Sequence, residues 1–212
     1  MARPFRNREE AGRRLAGRLE HLRGAAPLVL ALPRGGVPVA APIAEALGAK
    51  LDLLLARKVG APGQPELAVG AVVEGDPPDF VVNDTIIRAL GVPASFIEER
   101  RADEVAEIAR RRRLWLGDAP PPAVGGRVVI LVDDGIATGA TIRVALAALA
   151  RMGAARRIVA APVAPAEVAT ALRAECDEAI ILEEPASFDA VGFFFEDFRQ
   201  VDEVEMLALL RR

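Results

Sequence analysis

Two adjacent carboxylates, Asp133 and Asp134, close an apolar run from Val128 to Val132. They lead into a loop of small and hydroxylic residues, Gly135-Ile136-Ala137-Thr138-Gly139-Ala140-Thr141, and then into Ile142-Arg143-Val144-Ala145-Leu146-Ala147-Ala148-Leu149. The run reads as a buried parallel strand and the last stretch as a helix, and the loop between such elements is where α/β proteins hold phosphates. Successive backbone N–H groups at a helix N-terminus, with the hydroxyls of Thr138 and Thr141, suit a phosphate monoester. Paired acids just ahead of that loop suit the hydroxyls of a sugar and a Mg²⁺ ion, held directly or through water. Phosphate, diol and metal in that order describe a ribose 5-phosphate. The plainer alternative is an ordinary strand–turn–helix with a capping acid.

The segment Val132 to Thr141, with its consecutive acids and small loop, resembles the phosphoribosyl diphosphate (PRPP) signature of the type I phosphoribosyltransferases. Other phosphate sites fit less well. There is no Gly-x-x-x-x-Gly-Lys-Ser/Thr and no Gly-x-Gly-x-x-Gly after a strand, and Gly135 stands where aspartyl-phosphate phosphatases want a second acid. The resemblance implies that Asp133 and Asp134 hold the ribose hydroxyls and Mg²⁺, while Gly135, Ile136, Ala137, Thr138, Gly139, Ala140 and Thr141 wrap the 5′-phosphate. Hypoxanthine-guanine enzymes place an Asp where this chain has Ala137, so the turn is closer to that of the adenine enzymes. Any proton acceptor then comes from elsewhere, with Glu66 one candidate and a plain surface acid the alternative.

Two more turns join this constellation. Arg34-Gly35-Gly36 resembles the family's diphosphate loop, in which glycines admit a polyanion close to the backbone and an arginine forks onto its oxygens. The resemblance makes Pro33–Arg34 the candidate cis peptide. Arg57-Lys58 resembles the basic residues that open the family's flexible catalytic loop, ahead of Val59-Gly60-Ala61-Pro62-Gly63-Gln64-Pro65. As the bond from ribose C1 to diphosphate breaks, fixed cations offset the charge growing on the leaving group and the acids steady the cationic sugar. A closing loop keeps water away. Read alone, these segments are a βα turn and two solvated bases. Further on, Glu184-Pro185-Ala186-Ser187-Phe188 with Val191-Gly192-Phe193 loosely resembles the hood of the 6-oxopurine enzymes. By that likeness Phe188, Phe193 and Phe194 are a platform for a base. The lysine those enzymes use to read a purine oxo group has no counterpart in Pro162-Val163-Ala164-Pro165.

These turns require strands and helices in alternation. Asn7 with Glu10 predicts a capping box before a helix carrying Ala11, Leu15, Leu19 and Leu22 on one face. Pro27 to Leu32 and Leu51 to Ala56 predict short strands around a helix that has Pro38 in its first turn and Gly48 at its end. Leu67 to Val73 and Phe80-Val81-Val82 read as strands, and Ser95 with Glu98 caps a charged helix reaching about Leu116. That helix has only a sparse apolar stripe, Ile97, Val105, Ile108 and Trp115. Its early acids, including Glu104, and its late bases, Arg110 to Arg113, read as a solvated face rather than a nucleic-acid patch. Strands at Arg157–Ala161 and Ala179–Leu182 flank a helix at Pro165–Ala174, and Val201–Leu210 closes the chain. The expected architecture is a doubly wound parallel sheet with flanking helices, a flexible loop and a small C-terminal hood. It is read as a single domain over residues 1–212, with an atypical insertion at about 74–126 and hood elements at about 183–200.

Composition narrows the function classes. With one histidine (His21) and one cysteine (Cys176) in 212 residues, the chain has neither a His/Cys zinc site nor an internal disulfide, and it fits a reducing cytoplasm. The residues Met1 to Arg6 lack an apolar stretch, no run suits a bilayer, and a net charge of −3 speaks against nucleic-acid binding. The expectation is a Mg²⁺-dependent, homodimeric transferase acting on PRPP and a small nitrogenous acceptor, with no nucleic-acid or membrane partner. A PRPP- or nucleotide-binding regulator without turnover is the rival from another class, and a phosphohydrolase using water as acceptor is a third.

Overall fold

A computed structural model describes residues 5–211, the side chain of Glu66 excepted. The expectations for Met1 to Pro4 and for the Glu66 carboxylate lie outside the described residues. In chain order the elements are α1 (Arg8–Leu19), β1 (Leu28–Ala31), α2 (Gly36–Leu47), β2 (Lys50–Leu53), β3 (Ala56–Ala61), β4 (Gln64–Val73), β5 (Asp79–Val82), α3 (Asp84–Leu90), α4 (Ala94–Leu116), β6 (Val128–Val132), α5 (Ala140–Arg151), β7 (Arg156–Val163), α6 (Ala166–Glu175), β8 (Glu178–Glu183) and α7 (Glu203–Leu210). They form two compact units, Met1–Leu54 with Val124–Arg212, and Leu55–Ala123.

The first unit holds a five-stranded sheet in the order β2-β1-β6-β7-β8, parallel throughout. Every residue of β1 and nearly all of β6 is buried, which is why both read as continuous apolar runs. Leu30 registers with Leu131, so β1 and β6 lie side by side. After β1 the chain turns outward to β2, whereas after β6 it runs the other way to β7 and β8. Their carboxyl ends therefore flank a topological switch point, the place where an open α/β sheet leaves a crevice. The expected doubly wound sheet is present. Asn7 caps α1 by accepting from Glu10 N–H at 2.9 Å, but the Glu10 carboxylate takes the Arg6 N–H rather than completing the box.

The hood segment is tied to the start of the chain. Phe5 pairs with Phe195 as a parallel bridge, Phe5 N–H donates to Phe194 O, and Glu196 N–H donates to Phe5 O. Phe5 and Phe195 are buried together with Ala11, and Leu182, Val191, Phe194 and Phe198 pack against them.

The second unit corrects three expectations. Residues 59–65, expected as a loop because of their glycines and prolines, form the end of β3, a turn at Pro62-Gly63 and the start of β4. The ladder pairs Arg57 with Val72 and Lys58 with Ala71, so these bases sit on an antiparallel strand in a sheet of order β3-β4-β5. Helix α4 begins at Ala94 with Pro93, not Ser95, at its N-cap. Its buried positions are Glu104, Ile108, Arg112 and Trp115, so Glu104 and Arg112 do not belong to a solvated face. Arg57 Nε donates to Glu104, and Arg112 donates to Glu74 Oε1 at 2.9 Å. Ion pairs take the place of apolar contacts on this helix, which is why its apolar stripe is thin. Among the described residues no helix is long and apolar enough to cross a membrane.

Candidate active site

The turns after β1 and β6 meet at the switch point. Leu32 N–H donates to Val132 O at 2.9 Å, extending the sheet by one step and bringing Pro33-Arg34-Gly35 alongside Asp133-Asp134. The Pro33–Arg34 peptide bond is cis, and Arg34 is half-buried. Asp134 sits directly on Gly35: a Cβ at that position would fall 2.0 Å from Asp134 Oδ2. Only glycine lets the acid and the turn occupy the same space.

The loop that follows is an open cradle. Ile136 N–H is fixed to Val163 O at 2.9 Å. The N–H groups of Ala137, Thr138 and Gly139 find no acceptor among the described residues. Gly139, at φ 75° in the left-handed region, turns the chain into α5 as its N-cap without a side-chain capping bond. Ala137, Thr138, Ala140 and Thr141 are exposed. Unpaired backbone donors just ahead of the positive end of a helix are an arrangement suited to an anion.

The two acids are differently placed. Asp133 Oδ1 accepts from Asp134 N–H at 2.9 Å. Burial, and then the Asp134 charge beside it, hold the Asp133 carboxyl well above its ordinary 3.8. Asp134 instead accepts from Arg8 Nε at 2.7 Å. Asp133 Oδ1 is thus committed to backbone and Asp134 Oδ2 to Arg8, and the two carboxyl groups also hydrogen-bond to each other. Two carboxylate oxygens side by side are donors suited to Mg²⁺, which takes one or two protein carboxylates and completes its shell with substrate oxygens and water. No group of three or more potential ligands occurs among the described residues.

Of the residues singled out in the sequence, Arg34, Gly35, Gly36, Asp133, Asp134 and the loop Gly135 to Thr141 come together in the first unit. Arg57 and Lys58 belong to the second unit, and the Arg57 guanidinium is engaged by Glu104. Phe188 and Phe194 stack with ring centroids 5.8 Å apart, whereas Phe193 points to solvent at 76% exposure. The sequence reading names Val191 only as part of the hood and does not foresee its contact with the loop, and it misses Arg8 altogether. Val191 of the hood lies on the first loop glycine, where a Cβ on Gly135 would meet Val191 Cγ1 at 2.3 Å. Arg8 reaches the acid pair from α1, and no motif announces it.

A sequence profile of the phosphoribosyl transferase domain matches residues 5–191. Two Mycobacterium tuberculosis proteins, MT0597 and Rv0571c, are each 39% identical over 208 residues, which is 98% of this chain; their names class them provisionally as phosphoribosyl transferases. The chain spans 46% of their length, about half of these curated relatives. The crystal structure of TT1426 from Thermus thermophilus is similar at 42% identity and a TM-score of 0.81, covering 98% of this chain and 97% of that one.

Proposed function

Because the chain belongs to the type I phosphoribosyltransferase family, we propose that it moves the 5-phosphoribosyl group of PRPP onto a nitrogenous acceptor, probed first with nucleobases, and releases diphosphate. The observation that carries this reading is the juxtaposition at the switch point. Unpaired N–H groups from Ala137 to Gly139 lie one short turn from an acid pair whose Asp134 carboxylate is seated against Gly35 and whose Asp133 backbone lies against Gly36. A phosphate-only site needs the first of these features and has no use for the acids.

In this proposal the loop Gly135 to Thr141 anchors the 5′-phosphate, with Thr138 and Thr141 adding hydroxyls. Asp133 and Asp134 hold the ribose diol and Mg²⁺, directly or through water. When bound, Mg²⁺ supplies charge that offsets the developing diphosphate. Arg34 engages the diphosphate, and the fixed acids stabilise the positive character that grows at C1. The Phe188–Phe194 stack gives the acceptor a flat apolar surface. Arg57 and Lys58 retain their expected part in steadying the leaving group, which R57A and K58A test by lowering kcat more than PRPP affinity. The single cysteine agrees with a reducing cytoplasm, and a homodimer remains the expected assembly.

Incubating the protein with PRPP, Mg²⁺ and a panel of bases, and measuring diphosphate, tests the reading. Base-dependent diphosphate with a matching nucleotide product supports it. PRPP binding with no turnover across the panel favours the regulator, and base-independent release favours transfer to water.

A further inference from the structure

Arg8 is 8% exposed, although it stands in the first turn of a helix whose other charges face solvent. Each of its contacts leads toward the acid pair or the hood. Nε donates to Asp134 Oδ2 at 2.7 Å, and Nη1 donates to Arg199 O at 2.8 Å. The guanidinium lies 3.8 Å from the centroid of the Phe198 ring. The Asp134 oxygen that it holds is the one pressed against Gly35, so Arg8 and Gly35 together fix the rotamer of the acid. Just before Arg8, Phe5 and Arg6 pair along the hood through bonds to residues 194, 196 and 197.

From this geometry we infer that Arg8 is a positioning residue for the sugar diol. It orients Asp134 from behind, offsets one charge of the acid pair, and ties that orientation to the hood through Phe198 and the Arg199 carbonyl. Arg8 touches no substrate. Its effect passes through Asp134, so it bears on recognition of the ribose hydroxyls and leaves the phosphate cradle alone. The planar fork matters because bonds leave it in two directions while its face rests on an aromatic ring. Lysine preserves the charge and supplies no such fork.

The inference rests on the ribose 5-phosphate reading of the site, and its test separates the two. Ribose 5-phosphate and 2-deoxyribose 5-phosphate are titrated calorimetrically, with Mg²⁺, into the full chain and into R8Q, R8K and F198L. The wild type should prefer the ribose compound. Removing a charge-assisted bond behind the acid should weaken ribose 5-phosphate roughly tenfold or more in R8Q. The deoxy compound should change by no more than about twofold, because the phosphate cradle is untouched. R8K should lose most of the same discrimination with the charge intact, and F198L a smaller part. If R8Q proves too unstable to titrate, R8K and F198L carry the decision. Millimolar guanidinium should restore discrimination to R8Q, which a loss of general stability would not allow. Equal weakening of both ligands, or unchanged discrimination in R8K and F198L, overturns the role of Arg8. A wild type that binds neither sugar phosphate removes the reading of the site itself, and this inference with it.

Discussion

Arg112 with Glu74 in one unit is a buried arginine–carboxylate pair and Arg8 with Asp134 in the other a partly buried one, and they are finished differently. Arg112 commits all three guanidinium nitrogens: Nη1 to Glu74 Oε1 at 2.9 Å, Nε to Ala119 O at 3.0 Å and Nη2 to Pro120 O at 2.7 Å. Glu74 Oε2 accepts Leu55 N–H at 3.3 Å. That network joins the chain where it enters the second unit, at Leu55, to the stretch leading out of it, at Ala119 and Pro120. The Arg8 pair is less complete: Nε holds Asp134 Oδ2, Nη1 takes the Arg199 carbonyl, and the Asp134 carboxyl is crowded against that of Asp133. A saturated buried pair holds a fold together. An unsaturated one beside a second acid stores binding capacity for a ligand that brings its own donors or a cation.

The largest effect should come from breaking the saturated pair. R112M leaves Glu74 buried without its partner, a change that typically costs about 3–5 kcal/mol. For a chain of this size that lowers Tm by roughly 10 °C. The double variant R112M/E74L should recover most of the loss, since replacing both members of a buried pair by apolar groups is often close to neutral. Thermal melts followed by circular dichroism decide it, and an R112M melt within about 2 °C of wild type would remove the contrast.

Next is G35A. An alanine Cβ would lie 2.0 Å from Asp134 Oδ2, so the acid must leave the position that Arg8 also defines. Diol binding and PRPP-dependent diphosphate release should fall on the order of a hundredfold, the scale expected when a reacting group is misplaced by about 1 Å. The melt should move far less than in R112M. A G35A protein with full activity would show that the seat of Asp134 is irrelevant to the chemistry.

D133N should act in the opposite direction on stability. Asp133 is crowded by burial and by the charge of Asp134, so the neutral isostere relieves a native-state cost that the ligand-free protein carries. Tm should rise by about 2–4 °C, equivalent to roughly 1 kcal/mol at this size, while transfer activity is lost. A destabilised D133N would place Asp133 among the saturated, structural acids.

The unequal legibility of the two regions has the same physical origin. Asp133, Asp134 and the loop to Thr141 were readable because the chemistry needs consecutive residues on one strand–loop–helix turn. The neighbouring strands β1 and β6 were readable because strands buried on both faces are apolar throughout. Arg8 was not readable: its partner lies 126 residues away, and one more arginine on an amphipathic helix looks solvated. Helix α4 hid its packing face because that face alternates Glu104 and Arg112 with Ile108 and Trp115. The β3–β4 hairpin was obscured by Gly60, Pro62, Gly63 and Pro65, which favour loops. The signal that could have found it is Pro62-Gly63, with Gly63 at φ 68°, a turn dipeptide between two strands.

The smallest effect sharpens the comparison from the solvent side. Glu107 accepts from Arg110 Nε at 2.7 Å and Nη2 at 3.0 Å, and from Arg111 Nε at 2.7 Å, all within α4. Hydrogen bonds from Arg110, then Arg111, pull its carboxyl from 4.5 down to about 2. A depressed carboxylate contributes stability that is present above its unfolded value and lost as pH falls toward the folded one. The difference in Tm between wild type and E107Q should therefore be positive at neutral pH and shrink between about 4.5 and 2. Water screens this cluster, so the neutral-pH difference should stay within about 1–2 °C and diminish further in molar salt. Equal melting temperatures in low and high salt, with a gap matching that of R112M, would mean that burial is not what separates these pairs.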